Sequence, residues 1–273
     1  MEKSMNNFVG LKNLKEQFLR FTRTQLQNDR RKHLRQAIAE DTPLHLVFAG
    51  NPGTGKTTFA RRVADLLFSI KKIKKNKIVE VQRSDLISQY LGSSTEKTKA
   101  KILEARGGVL FIDEAYRLIP AAGGKDFGRE AIEELMSVME DGDPVMIFTG
   151  YKDKMEKFLD VNPGLRSRIY RNFVFADYST EELEEIFHLK AAKKGFRVDA
   201  NVGELLTRQT SERQRSKMNA RLVRILLHES IEEASNRLPL DAPLSQLMEL
   251  KASDIEAACT RLPPLPQSDP NAT

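Results

Sequence analysis

One short run constrains this chain more than any other: Gly50-Asn51-Pro52-Gly53-Thr54-Gly55-Lys56-Thr57, which fits G-x-x-x-x-G-K-[ST]. Ahead of it, Leu44-His45-Leu46-Val47-Phe48-Ala49 reads as a strand buried on both faces. Behind it, Thr58-Phe59-Ala60-Arg61-Arg62-Val63-Ala64-Asp65-Leu66-Leu67 has its apolar residues at helical spacing. Between a strand and a helix, such glycines let the backbone curl until its N–H groups and the helix N-terminus face one centre, which suits phosphate. In that geometry Lys56 reaches the β- and γ-phosphates and the Thr57 hydroxyl ligates Mg²⁺, with Pro52, Gly53, Thr54, Gly55 and Thr58 completing the loop's contacts. The expected ligand is ATP with Mg²⁺.

The rest of the first half alternates in the same way. Strands are expected at Ile78-Val79-Glu80-Val81, Val109-Leu110-Phe111-Ile112, Val145-Met146-Ile147-Phe148-Thr149 and Phe173-Val174-Phe175, with helices over about 95–106, 128–140 and 152–159 between them. A helix over about 11–38, with Leu11, Leu14, Phe18, Phe21, Leu26, Leu34 and Ile38 loosely periodic, precedes the first strand. Alternation of this kind predicts an α/β fold: a parallel five-stranded sheet with helices on both faces. From Ser179, which forms a capping-box pattern with Glu182, only helices are expected, over about 201–213, 219–237 and 252–260. The predicted organisation is therefore an α/β domain over 1–177, a small all-α domain over 178–262 and a proline-rich, disordered tail over 263–273.

Two carboxylates, Asp113 and Glu114, follow the buried strand ending at Ile112, at the sheet edge where α/β folds bind ligands. Asp113 is expected to hold the Mg²⁺ shell and Glu114 to polarise the water that attacks the γ-phosphate. Phosphoryl transfer also needs positive charge on the γ-phosphate, from the same chain or a neighbour. Arg166 and Arg168, in Asn162-Pro163-Gly164-Leu165-Arg166-Ser167-Arg168-Ile169, are candidates just before the last strand; Arg221, opening a helix of the second domain, is another.

Taken together, GNPGTGKTT, QYLG, GGVLFIDEAY, TGYKDKM, NPGLRSRI and MNAR resemble the AAA+ ATPases, and more closely their CbbX/CfxQ/SpoVK group, in that group's order. The likeness runs from Phe8 to about Ala258. It implies a ring, a hexamer, in which the segment Phe8-Val9-Gly10 lies near the adenine, with Val9 and Gly10 binding the cofactor, Arg166 or Arg168 acts as a finger on the neighbour's nucleotide, and Arg221 is the second sensor. Thr149 stands where many relatives carry a sensor-1 Asn. The helical second domain becomes a lid, and Tyr90-Leu91-Gly92 a pore loop gripping polypeptide clients by apolar contact. Red-type Rubisco activation is that group's best-known task and makes Rubisco one possible client.

Composition narrows the classes further. With 40% hydrophobic and 30% charged residues the chain is of globular type, and it has no apolar run of membrane-spanning length and no signal-like N-terminus, so a soluble location, in cytoplasm or organelle, is expected. A single Cys259 excludes an intrachain disulfide framework. The net charge of +6 has its densest basic run at Lys71-Lys72-Ile73-Lys74-Lys75-Asn76-Lys77. Without interleaved aromatics this reads as a solvated helix end, and nucleic acid is not the expected partner. A nucleic-acid motor and a monomeric small-molecule kinase remain as alternatives to the protein-remodelling ring.

Overall fold

The computed structural model describes residues 8–34, 43–88, 93–120 and 128–263. The chain divides into two compact units: one comprises Leu11–Gly50 and Gly55–Phe175, the other Phe8–Gly10, Asn51–Thr54 and the chain from Ala176 onward.

The first unit is built on a parallel sheet of β1 (His45–Gly50), β2 (Ile78–Val81), β3 (Val109–Ile112), β4 (Val145–Gly150) and β5 (Ile169–Phe175), in the order β2-β3-β4-β1-β5. Its helices are α1 (Lys12–His33), α2 (Lys56–Ser69), α3 (Arg83–Leu86), α4 (Ser93–Ala105), α5 (Gly128–Met139), α6 (Lys152–Asp160) and α7 (Pro163–Arg168), with a 3₁₀ turn at Ala115–Leu118. The pleat sorts the central strands' side chains. Val47, Ala49, Met146 and Phe148 point to one face, where they pack with Ile102, Leu135, Phe158 and Leu165. Phe48, Phe173 and Phe175 point to the other and meet Phe59 of α2 and Phe18 and Phe21 of α1. Ring centroids there lie 5.1 Å apart for Phe18–Phe59, 5.4 Å for Phe59–Phe175 and 5.8 Å for Phe48–Phe173.

The first helix is shorter than its apolar spacing predicts, ending at His33. Leu14, Phe18 and Phe21 are buried, whereas Leu26 and Leu34 face solvent. The buried stripe ends once the helix runs past the aromatic cluster, and Ile38 lies outside the described residues. β5 is longer than expected and begins at Ile169, where a parallel partner in β1 satisfies its polar backbone despite the Arg and Asn in its sequence.

The second unit contains α8 (Thr180–Lys193), α9 (Val202–Gln209), α10 (Glu212–Met218), α11 (Ala220–Arg237), α12 (Leu244–Leu247) and α13 (Ala252–Thr260). It is not composed of helices alone. β6 (Arg197–Asp199) and β7 (Glu249–Lys251) pair in parallel, residues too few and too polar to show a strand period. The single helix expected over 201–213 is two, because Thr210 is extended and Ser211 caps a fresh start by accepting from Gln214 N–H. The Arg215 guanidinium reaches back to the Leu206 and Thr210 carbonyls at 3.1 and 2.6 Å, satisfying the end of α9. The Ser179–Glu182 capping box is formed, and Gly195, at φ 86°, turns the chain after α8.

Candidate functional site

Sheet order brings together residues that are far apart in sequence. β4 lies between β1 and β3, with Ile112 opposite Phe148 and Ala49 opposite Gly150, so Gly50, Asp113 and Thr149 emerge at one carboxyl edge. There the Thr149 hydroxyl donates to Asp113 Oδ1 at 2.6 Å, and the same oxygen accepts from Glu114 N–H at 3.1 Å. Thr149 is fully buried, so the bond is sheltered from water. Lys56, at the start of α2, donates from Nζ to the Gly50 carbonyl at 2.8 Å across the turn it follows.

Glu114 has left-handed backbone angles, φ 51° and ψ 44°, a conformation that costs a non-glycine residue about 1–2 kcal/mol. Its carboxylate accepts from the Tyr116 hydroxyl at 2.9 Å and pairs with Arg117 Nε at 2.8 Å. Burial, opposed by the Arg117 guanidinium and reinforced by the Glu114 carboxylate, pushes the Tyr116 phenol up to about 12, so it stays protonated and serves as a hydrogen-bond donor to Glu114. Arg83 donates to the Arg117 carbonyl from α3. Tyr116 also packs against Tyr151, with Lys154 Nζ 4.9 Å from its ring centroid. Gly150 is required beneath it, since a Cβ there would come within 2.6 Å of the Tyr116 ring. Tyr116 and Arg117 were not singled out by sequence reasoning. For Arg117 a signal was present, because it stands three residues beyond Glu114 on a helical turn; for Tyr116, two residues on, there was none.

The glycine loop divides between the two units. Gly55, at φ 93°, leads into α2 with Lys56 and with Thr57, which is half-buried; Thr58 is exposed on the next turn and lines a cavity of about 370 Å³ with Arg61, Arg62, Asp65 and Asn76. Asn51, Pro52, Gly53 and Thr54 belong instead with the helical unit. Gly53, at φ 75°, lies against the start of α11: a Cβ there would meet the Met218 carbonyl at 2.3 Å and the Arg221 nitrogen at 3.0 Å. Arg221 itself is exposed. Val9 is buried and Gly10, at φ 61°, is backed by the Glu182 carboxylate in the same unit.

The two arginines of α7 differ. Arg166 is half-exposed and pairs with Glu156 at 3.1 Å and Asp160 at 2.7 Å. Arg168 is more enclosed, bonded to the Gly164 carbonyl at 2.9 Å and paired with Glu140. Tyr90, Leu91 and Gly92 lie outside the described residues, as does the tail beyond 263. The basic run folds as the turn after α2, with Ile73 buried beneath it and Lys72 paired with Asp29 of α1 at 2.7 Å. Among the described residues no helix is long and apolar enough to cross a membrane.

Comparison with known proteins gives the family and the fold. Residues 46–176 match the ATPase family associated with various cellular activities (AAA), and residues 179–264 match the AAA lid domain. The chain is 39% identical to the protein CbbX of Cereibacter sphaeroides over 94% of its own length and 86% of that protein's. It is also 39% identical to the chloroplastic ribulose bisphosphate carboxylase/oxygenase activase of Cyanidioschyzon merolae, over 84% of this chain and 80% of that one. Among solved structures, the Thermotoga maritima RuvB Holliday junction branch migration motor superposes with a TM-score of 0.61, covering 93% of this chain and 70% of that one. At 20% identity that likeness concerns the fold alone.

Proposed function

The chain belongs to the AAA family of ATPases, and on that premise we propose that it assembles into a ring that spends ATP hydrolysis on pulling protein clients through a central pore. The observation that carries the catalytic reading is the shared carboxyl edge, where Asp113, at the end of β3, and Thr149, in the adjoining β4, are hydrogen-bonded to each other, with β4 lying next to the glycine loop's own strand β1. The residues present suit Mg²⁺-ATP: Gly53 and Gly55 have the positive φ that lets a loop close around phosphate, and the oxygen donors Thr57 and Asp113 are of the hard kind Mg²⁺ takes. Bound there, Mg²⁺ would neutralise developing phosphate charge.

In this reading Thr149 orients the Asp113 carboxylate, Glu114 accepts the proton of the attacking water, Lys56 moves from the Gly50 carbonyl to phosphate, and Arg221 and the Val9-Gly10 segment complete the nucleotide's surroundings. Of the two α7 arginines, Arg166 suits the role of finger on a neighbouring subunit. Its acid partners are surface groups, and exposed pairs hold weakly, whereas Arg168 is tied to a backbone carbonyl. Tyr90 grips the client. The client class is drawn from the relatives, which makes Rubisco the first to try; neither the nucleic-acid motor nor the kinase reading has a finding in its favour.

The test is ATPase activity and assembly state measured with and without Rubisco. ATP-dependent assembly is expected, with turnover stimulated by the client, lost in Glu114→Gln, and reduced to its unstimulated level in Tyr90→Ala. An enzyme that stays monomeric in ATP and ignores Rubisco and other folded proteins would overturn the ring-and-client reading, and hydrolysis at the parent rate by Glu114→Gln would overturn the catalytic one.

A further inference from the structure

We propose that Asn219 is a positioning residue that locks the front of the glycine loop to the helix carrying Arg221, so that filling the loop and placing Arg221 are one coupled event. The inference rests on the nucleotide reading above and concerns a residue that reading does not use.

Asn219 stands where a helix cap is expected, immediately before α11, yet its side chain caps nothing. It is fully buried and sits at φ 50°, ψ −133°, a region that residues with a side chain rarely adopt. Such a conformation persists only where surrounding bonds hold it, and here they use the whole amide. Oδ1 accepts from Tyr178 N–H at 2.9 Å, while Nδ2 donates its two hydrogens to the Ser216 carbonyl at 2.6 Å and Asp177 Oδ1 at 2.9 Å, one of them shared with the Pro52 carbonyl at 3.3 Å.

The residues around Asn219 hold every member of the loop's front. Asn51 donates to both oxygens of Asp177 at 3.0 Å, so Asp177 joins the two asparagines. Pro52 is held by Asn219 itself. The Gly53 carbonyl accepts from Ala220 N–H at 3.2 Å, and the Thr54 carbonyl accepts from the buried Tyr178 hydroxyl at 3.3 Å. The four variable residues of the loop are thus fastened to the chain around Asp177 and Asn219, while Gly55, Lys56 and Thr57 continue into α2 of the other unit. Arg221 lies two residues beyond Asn219 on the helix that receives these bonds. Any rearrangement of the loop's front is transmitted through the Asn219 amide to the first turn of α11, and the reverse holds as well.

The experiment measures dissociation constants for fluorescent N-methylanthraniloyl ADP and ATP on the full chain. Asn219→Gly removes the amide while accepting the unusual backbone angles. Its expected effect is a loss of affinity of about tenfold, the scale of one to two lost hydrogen bonds. Arg221→Ala weakens binding by itself, and the double variant is expected to be no weaker than the weaker single variant, because Asn219 acts through the helix start that Arg221 occupies. Asp177→Ala, at an exposed position that tolerates truncation, should shift binding in the same direction by roughly threefold, and it decides the matter if Asn219→Gly does not fold. Parent-like affinity in Asn219→Gly with only a lowered melting temperature, or losses that multiply in the double variant, would overturn the coupling; so would parent-like affinity in Asp177→Ala. Failure of the underlying reading looks different: the parent itself would not bind the probes, or Lys56→Ala would bind them as tightly as the parent.

Discussion

Replacing Thr149 by Val tests the carboxyl edge with little change of shape. The substitution keeps the β-branched outline in a fully buried strand position and removes only the hydroxyl, which donates to Asp113 Oδ1 at 2.6 Å. That oxygen would keep the Glu114 N–H at 3.1 Å as its remaining donor and gain a methyl group where the hydroxyl stood. A hydrogen bond to a charged group contributes about 1.5–3 kcal/mol, so if it is spent on aiming the Asp113 carboxylate, turnover should fall roughly 10- to 150-fold. Nucleotide affinity without Mg²⁺ should change by less than about threefold, because the loop's backbone groups and Lys56 are untouched. The Mg²⁺ concentration for half-maximal rate should rise instead. The assay is steady-state phosphate release across a Mg²⁺ titration, beside equilibrium nucleotide binding. Thr149→Ser, which restores the donor, should recover most of the rate. Melting should drop by roughly 3–12 °C, the consequence of losing one buried bond of about 1.5–3 kcal/mol in a domain of this size. Parent turnover with an unchanged Mg²⁺ requirement in Thr149→Val would refute the argument, as would equal losses in Val and Ser variants.

Three further expectations follow from the same contacts. Arg117→Ala frees one oxygen of the Glu114 carboxylate from an exposed pair and should raise unstimulated hydrolysis up to about fivefold, read as kcat at saturating ATP; a fall would mean that Arg117 assists the reaction. His45 is buried between Met139 and Met146, with Nε2 2.7 Å from one carbonyl and Nδ1 accepting the other residue's N–H at 3.0 Å, and burial lowers its pKa from 6.5. The unfolded chain therefore takes up the proton first: this contribution to stability is fully present above about pH 6.5 and is lost at up to about 1.4 kcal/mol per pH unit as pH falls toward the lowered native value. Denaturant titrations at descending pH should show this slope in the parent and a shallower one in His45→Gln. Phe59→Ala opens a hole where Phe18, Phe48, Phe173 and Phe175 converge and should cost about 3–5 kcal/mol by chemical denaturation, whereas a loss below 1 kcal/mol would mean that the aromatic cluster is not a packed core.

The sheet was readable in the sequence because its strands are unbroken apolar runs, such as Val109-Leu110-Phe111-Ile112, and its loop carries glycines where positive φ is required. The paired strands of the second unit were not: Arg197-Val198-Asp199 has no period of its own and becomes a strand only because Glu249–Lys251 lies beside it. The helix pair around Thr210 shows the same limit, since the break is set by Ser211 and Arg215 acting across the turn. At the candidate site, Lys56, Asp113 and Glu114 could each be named from local pattern, whereas Thr149 could be named only through the family resemblance.

Sequence alone determined the strand–loop–helix unit, the acids at the end of β3 and the kinship with AAA ATPases, because these depend on short-range spacing and residue chemistry. Tertiary structure decided what those residues touch. It placed Thr149 on Asp113 through the β3–β4 register, folded Tyr116 and Arg117 back onto Glu114, and tied the front of the glycine loop to Asp177 and Asn219, far along the chain. A hydrogen bond between residues so distant in sequence has no local periodicity or composition to betray it, and becomes definite only when the backbone brings donor and acceptor together.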